Sequence, residues 1–221
     1  MKQNFPIQTS FLGEAPYREA LEKMNSLRDE RLANRIPDQL LFLEHPPVIT
    51  MGRRRSHEDL KINPEELKRR GIEFVETDRG GRLTYHGPGQ LVVYFIVDIE
   101  TRKISIDKMV WAVEEGVKRL LAKYGISASR DKRNPGIWVG NSKIASIGLH
   151  VHRGVTTHGV ALNVDCDLAP FGYIIPCGIA GAGVTNLAEI TARKYSVDEV
   201  GGDLRRCYED VFNQRRPRCS S

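Results

Sequence analysis

The sequence predicts a single α+β, or mixed α/β, domain. Apolar residues recur at helical spacing in some segments and at strand spacing in others, without the regular alternation of βαβ units. One run, Leu91–Ile99, is nearly all apolar, as a strand covered on both faces would be. The chain has 221 residues, 40% of them hydrophobic, which is enough to bury one sizeable core.

The elements follow in order. A helix is expected from about Ala15 to Ala33, with Tyr17, Leu21, Met24 and Leu32 along one stripe. Strands at Gln39–Glu44 and Val48–Met51 are joined by the rigid His45-Pro46-Pro47. A short helix carries Asn63 as N-cap, Pro64 at its first position, Glu66 two residues later and Gly71 beyond its end. Ile72–Val75 reads as a short strand, and the apolar run at Leu91–Ile99 follows. Helix returns at Ile106–Tyr124, with Met109, Val110, Val113, Val117, Leu120 and Leu121 on one face and Gly125 after it. Two strand runs, Lys143–His152 and Val155–Val164, flank a turn at Arg153-Gly154. A last helix starts from a capping box of Ser196 and Glu199, with Val200, Leu204, Cys207, Tyr208 and Val211 beneath.

Composition narrows the function classes. No apolar run approaches the length of a membrane-crossing helix, and Met1–Tyr17 lacks the marks of a secretory or transit leader. A cytoplasmic protein with no membrane partner is expected. Net charge is +5, with basic clusters at Arg53-Arg54-Arg55, Lys68-Arg69-Arg70 and Arg215-Arg216-Pro217-Arg218. Such clusters suit an acidic partner, but no aromatics are interleaved with them and no recognition motif is present. A nucleic-acid-binding module is therefore the weaker reading. Cys166, Cys177, Cys207 and Cys219 form no Cys-x-x-Cys pair, so neither a disulfide framework nor a zinc site is expected.

Chemistry is expected between the elements. Arg79 to Gln90 holds four glycines and a proline directly before the apolar run, and bare N–H groups let a ligand approach closely. It matches neither the phosphate-loop nor the dinucleotide pattern. The stretch Pro176-Cys177-Gly178 places a cysteine on a turn, whereas Cys207 lies on the core side of its helix. A nucleophilic cysteine needs thiolate, and an ordinary thiol holds only about 3% of it at pH 7. Lys143, at the start of a strand, could supply the positive charge, although lysines at strand ends more often reach for water. His86 and His158 are the other candidate bases. His150 and His152 share a strand face, but no third ligand at a suitable spacing joins them, so no metal is expected.

At these residues the chain resembles the octanoyltransferase family, the lipoyl(octanoyl) transferases. The matching stretches are Arg79-Gly80-Gly81, Thr84-Tyr85-His86-Gly87-Pro88-Gly89-Gln90, Lys143-Ile144-Ala145, Ile147-Gly148, His158-Gly159, Ala161-Leu162-Asn163-Val164 and Pro176-Cys177-Gly178-Ile179. The likeness covers about Ile7 to Phe212. It implies a catalytic domain at residues 1–212, similar to the biotin and lipoate protein ligases, and a flexible basic tail at 213–221. It also implies transfer of an octanoyl group from octanoyl-acyl carrier protein to a lysine, through a thioester on Cys177 activated by Lys143. The implied acceptors are lipoyl domains of 2-oxoacid dehydrogenase complexes and the glycine cleavage H protein. The implied substrate-lining residues are Arg79, Gly80, Gly81, Arg82, Leu83, Thr84, Tyr85 and His86, then Ser146, Ile147 and Gly148, and Gly159, Val160 and Ala161. The chain departs from the family's pattern at Phe95, Ser146, Val160 and Asn186.

Thioester exchange is close to isoenergetic, so Cys177 can be loaded without ATP and no cofactor is expected. An ATP-dependent lipoate or biotin ligase on the same fold is the nearest rival. It would form an acyl-adenylate and would have no need of a nucleophilic cysteine.

Overall fold

The computed structural model describes residues 7–55, 57–131, 135–175 and 183–213. In chain order the strands and helices begin with β1 (Ile7–Glu14), α1 (Tyr17–Leu32), β2 (Asp38–Glu44) and β3 (Val48–Met51). Next come α2 (Pro64–Arg69), β4 (Glu73–Glu76), β5 (Leu83–His86), β6 (Gln90–Ile96) and α3 (Ile106–Lys123). The second half holds β7 (Ser129–Arg130), β8 (Gly136–Val139), β9 (Ser142–His152), β10 (Val155–Asn163), β11 (Gly183–Val184), α4 (Leu187–Thr191) and α5 (Val197–Asn213).

Among these residues the large sheet runs β1-β2-β6-β10-β9-β8-β7, with β11 beside the start of β9. A small sheet runs β4-β3-β5. The His45-Pro46-Pro47 link carries the chain from β2 in the first sheet to β3 in the second, and His45 is fully buried there. All seven residues of β6 are buried, because helices cover both faces of the large sheet. Val93 and Phe95 pack with Val113 and Val117 of α3 and Leu204 and Tyr208 of α5. Val92, Tyr94 and Ile96 pack with Ala20 and Met24 of α1. Each large apolar side chain buried this way contributes about 1.5–3 kcal/mol. The alternation of a strand thus divides the core into two, and the α1 side is the one that holds the site.

Several expectations hold in detail. Asn63 caps α2 by accepting from the Glu66 N–H at 2.7 Å. Arg153 and Gly154 both take positive φ, 48° and 83°, as a tight hairpin turn between β9 and β10 requires. Others need correction. The stretch expected to be purely loop contains a strand, since Leu83–His86 pairs antiparallel with Val48–Met51. The apolar run stops as strand at Ile96. Val110 is only half-buried, its place on the core face of α3 being taken by Ala112. Helix α5 ends at Asn213, so that residue closes the helix rather than opening a tail. Residues 214–221 lie outside the described residues. No helix among the described residues is long and apolar enough to cross a membrane.

Candidate active site

Register brings the separate glycine-rich stretches together. β9 and β10 pair so that Ser146, Ile147 and Gly148 face Ala161, Val160 and Gly159 directly. The Arg79–Arg82 loop lies over this pair, with Gly80 N–H donating to the Leu149 carbonyl at 3.2 Å. A Cβ on Gly148 would stand 2.8 Å from the Gly80 oxygen, so the contact is backbone against backbone. Arg79 holds the loop in place: its guanidinium donates to Thr50 Oγ1, Thr50 O, Gly80 O and Arg82 O at 2.6–2.9 Å. Arg82 pairs with buried Asp59 at 3.1 Å.

A cavity of about 60 Å³ lies between the large sheet, β5 and the start of α1. Its walls include Arg79, Gly80, Gly81, Arg82, Leu83, Thr84 and His86 from one side. Ser146, Ile147, Gly148, Gly159, Val160, Ala161 and Lys143 line the other. Tyr85 is the exception among the expected lining residues. Its ring packs in the small-sheet core, edge-on to Phe171 at 5.5 Å. Tyr17, Val92, Tyr94 and His158 complete the wall. Nothing near Tyr17 in the sequence marks it; its placement comes from α1 crossing the sheet and from its hydroxyl meeting Thr77 Oγ1 at 3.4 Å.

Lys143 does not reach for water. It is 5% exposed, and its ammonium lies 5.5 Å from the Trp138 ring centroid, within cation–π range. Gly136 makes room for it: a Cβ there would sit 2.4 Å from Lys143 Cε, and its φ of 147° suits glycine. β11 runs parallel to the start of β9, pairing Val184 with Lys143. Thr185 N–H then donates to the Lys143 carbonyl at 3.1 Å.

Cys177 lies outside the described residues, which resume at Gly183. On its near side, Ile175 N–H donates to the Asp59 carbonyl at 2.7 Å. Of the described cysteines, both are buried and both are poor nucleophiles. Burial pushes the Cys166 thiol up to about 12 and raises that of Cys207, so each stays protonated at neutral pH.

Rings kept neutral by burial line and back the cavity wall: His86 and His158 line it, and His45 lies behind His86. His45 donates from Nδ1 to the Ala15 carbonyl at 2.7 Å, which leaves Nε2 to accept from the Tyr94 hydroxyl at 2.8 Å. His86 stacks on Tyr17 at 6.0 Å and meets His45 edge-on at 5.6 Å. His158 takes a φ of 58° within β10, and its Nε2 lies 2.7 Å from Asp78 Oδ1. That bond holds Asp78 down at about 2. Burial lowers His158 despite its carboxylate neighbour. It lowers His86 well below the usual range and His45 to about 4. His150 lies 3.5 Å from Asp78 and 3.3 Å from Arg53, two residues that line a separate outer groove. No cluster of three or more metal-ligating side chains occurs among the described residues.

These imidazoles carry a stability consequence. A buried histidine whose folded value sits below its unfolded value binds its proton more readily in the unfolded chain. Its stabilising effect is complete above about pH 6.5 and is lost as pH falls toward about 4. For His45 alone the loss is on the order of 3 kcal/mol. Urea unfolding followed from pH 7 to pH 4.5 is expected to show falling stability, with a shallower fall in His45→Asn. A flat profile would contradict the burial of a neutral ring.

The sequence matches the family model described as the lipoyl protein ligase A/B catalytic domain over residues 16–208. It is 45% identical over 203 residues to an octanoyltransferase of Alkaliphilus metalliredigens, covering 91% of this chain and 93% of that one. Among solved structures it superposes on a bipartite lipoate protein ligase studied with its E2 lipoyl domain, from Thermoplasma acidophilum. The TM-score there is 0.73 at 19% identity, over 97% of this chain and 87% of that one. The biotin protein ligase of Aquifex aeolicus gives a TM-score of 0.54 at 13% identity, over 95% and 70%.

Proposed function

The chain belongs to the lipoyl protein ligase A/B catalytic-domain family, and we propose that it works as an octanoyltransferase through a thioester on Cys177. The activity is transfer of an octanoyl group in protein lipoylation. The observation that carries the cysteine route is the placing of Lys143. A buried ammonium on β9 stands where β11 returns from the segment containing Cys177. Lysine in such a place stabilises a thiolate by Coulomb attraction with little screening. The neighbouring cavity takes the acyl chain, its walls mostly backbone and small side chains along β9, β10 and the Arg79–His86 stretch.

The charges balance in two steps. In loading, the Cys177 thiolate attacks the donor thioester, the C–S bond to the donor breaks, and the donor sulfur takes the proton from Lys143. In transfer, an incoming lysine ammonium gives up one proton, its amine attacks the thioester carbonyl, and the Cys177 sulfur leaves as thiolate. The second proton from nitrogen returns to Lys143, which restores the starting ion pair. One proton is released to solvent overall.

Octanoyl-acyl carrier protein is the donor in this reading, and lipoyl domains of 2-oxoacid dehydrogenase complexes and the glycine cleavage H protein are the acceptors. Arg53, Arg54 and Arg55 are exposed and suit acidic partners of this kind. The cytoplasm is the compartment where such partners would meet. The ligase alternative has less behind it, because the ligase structures share under 25% identity and speak for the fold alone.

The test is intact-mass measurement after mixing with octanoyl-acyl carrier protein, with and without ATP. An octanoyl adduct should form without ATP, be released by hydroxylamine, and be absent from Cys177→Ser. If Cys177→Ser keeps the adduct while Cys166→Ser loses it, the assignment is wrong.

A further inference from the structure

Strand register sets the depth of the cavity. Across the large sheet from β9 to β2, one row reads Ser146, Ala161, Val92 and Leu43. The next reads Gly148, Gly159, Tyr94 and Leu41. Side chains are small or absent on β9 and β10 and become large at β6. The β9, β10 and β6 members of both rows line the cavity, whereas Leu41 and Leu43 lie beyond it in the core under α1. The floor thus ends in a step at β6, made by Val92 and Tyr94.

Tyr94 is held in place. Its hydroxyl donates to His45 Nε2 at 2.8 Å, and that ring is fixed in turn by the Ala15 carbonyl. His158 stands edge-on to the tyrosine ring at 6.0 Å. Alternation along β10 would send His158 to the α3 side with Val160, since Ala161 packs on the α1 side. Its left-handed φ of 58° brings the ring to the α1 side instead, where Nε2 meets Asp78 at 2.7 Å and the N–H donates to Met24 Sδ at 2.9 Å. A residue with a Cβ keeps such a strained conformation only where its surroundings hold it. Here the strain places an imidazole against Tyr94 in the cavity wall.

Lys143 marks the opposite end. A Cβ on Gly136 of β8 would lie 3.0 Å from its Nζ, so the ammonium sits toward β8. From β8 the sheet runs through β9 and β10 to β6, three strand spacings of ~4.8 Å or about 14 Å in all. An extended octanoyl chain, with bonds of ~1.5 Å, reaches about 9 Å from carbonyl carbon to methyl. A carbonyl over β9, within reach of the ammonium, therefore puts the methyl against β6. Two further methylenes need about 2.5 Å more, which the step does not leave.

We propose that Val92 and Tyr94 end the acyl cavity and set its preference for eight carbons, with His45 as the positioning residue that holds the tyrosine. This rests on the reading above, in which the acyl chain fills the cavity with its carbonyl at Lys143.

The experiment follows loading of Cys177 by mass, with hexanoyl, octanoyl, decanoyl and dodecanoyl thioesters of acyl carrier protein in turn. Rate ratios between chain lengths are the readout, because damage to the fold lowers every rate together. The unaltered enzyme should load octanoyl fastest and dodecanoyl at least about tenfold more slowly, the scale of a misfitting methylene in an apolar pocket. Tyr94→Leu removes the ring but keeps the site apolar, and should raise the decanoyl-to-octanoyl ratio about tenfold. His45→Ala frees the tyrosine hydroxyl and should raise the same ratio severalfold; an unmoved ratio would remove His45 from the proposal. Val92→Ile adds one methyl to the wall at a strand position that suits β-branched residues. It should raise the hexanoyl-to-octanoyl ratio severalfold, and it serves alone if Tyr94→Leu does not fold. A flat chain-length profile in the unaltered enzyme, or unchanged ratios in both Tyr94→Leu and Val92→Ile, would overturn the assignment. Failure of the unaltered enzyme to load Cys177 with any of the four would instead remove the reaction on which it rests.

Discussion

Replacing Lys143 with methionine should lower iodoacetamide capture at Cys177 about tenfold at pH 7 and move the capture profile to higher pH. An adjacent cation ordinarily lowers a thiol's pKa by one to three units, and one unit is about tenfold in thiolate. Methionine keeps most of the volume that the lysine stem occupies between Gly136 and Trp138, so the packing changes little. Acyl transfer should fall further than capture, by a hundredfold or more, because the same substitution removes the acceptor of the second proton. Arginine should restore part of the capture but little of the transfer, since guanidinium does not deprotonate near neutrality. It must also fit beside Gly136, which leaves room for the lysine chain only because it lacks a Cβ. A capture profile for Lys143→Met that overlays the unaltered protein would remove the lysine from the mechanism.

The burial of Lys143 could not be read from its own neighbourhood. A lysine beginning a strand normally finds solvent, and here the reason it does not lies in residues distant in sequence. Trp138 on β8 covers it and β11 closes the other side. The same holds for the neutral ring cluster. His45 meets Tyr94 and His86 meets Gln90 and Tyr17 only because two sheets and α1 converge. By contrast, the glycine stretches were legible, because close backbone approach leaves its mark directly in residue type. Gly80 and Gly148 are far apart in sequence, and each is glycine for the same contact.

Strand β5 was hidden by its surroundings. Four residues long, between glycines, it reads as loop, yet its pairing with β3 is complete and all four residues are buried. β1 was hidden for a different reason. It is an edge strand whose residues are half-buried or exposed, so it lacks the apolar alternation that announces a strand. Its pairing with β2 is parallel and depends on α1 as the crossover. β6 and β10 were recognisable by pattern, and both are buried throughout. In this fold they are also the strands that carry the cavity floor.

The cavity floor gives the last expected result: Gly148→Val should leave a folded protein that no longer accepts an octanoyl group. Valine suits a strand interior, and β9 keeps its pairing with β10 because ladder bonds do not depend on the side chain. The new Cβ, however, stands 2.8 Å from the Gly80 oxygen and 3.5 Å from Arg79 Cδ. A backbone oxygen has no rotamer to escape into, so the whole Arg79–Arg82 loop must lift. That would break the Gly80 N–H bond to Leu149 and shift the guanidinium bonds that Arg79 makes across the loop. Overpacking of this kind costs about 1–3 kcal/mol, a fall of several degrees in melting temperature for a chain of this size. Loading by an octanoyl thioester should drop by about a hundredfold, in line with displacement of a site by an ångström or so. An acetyl thioester, which needs little of the cavity, should be affected far less. Folded Gly148→Val that loads octanoyl at the normal rate would show that the acyl chain lies elsewhere. Equal losses with both donors would instead place the damage at the reacting carbonyl, nearer to Lys143.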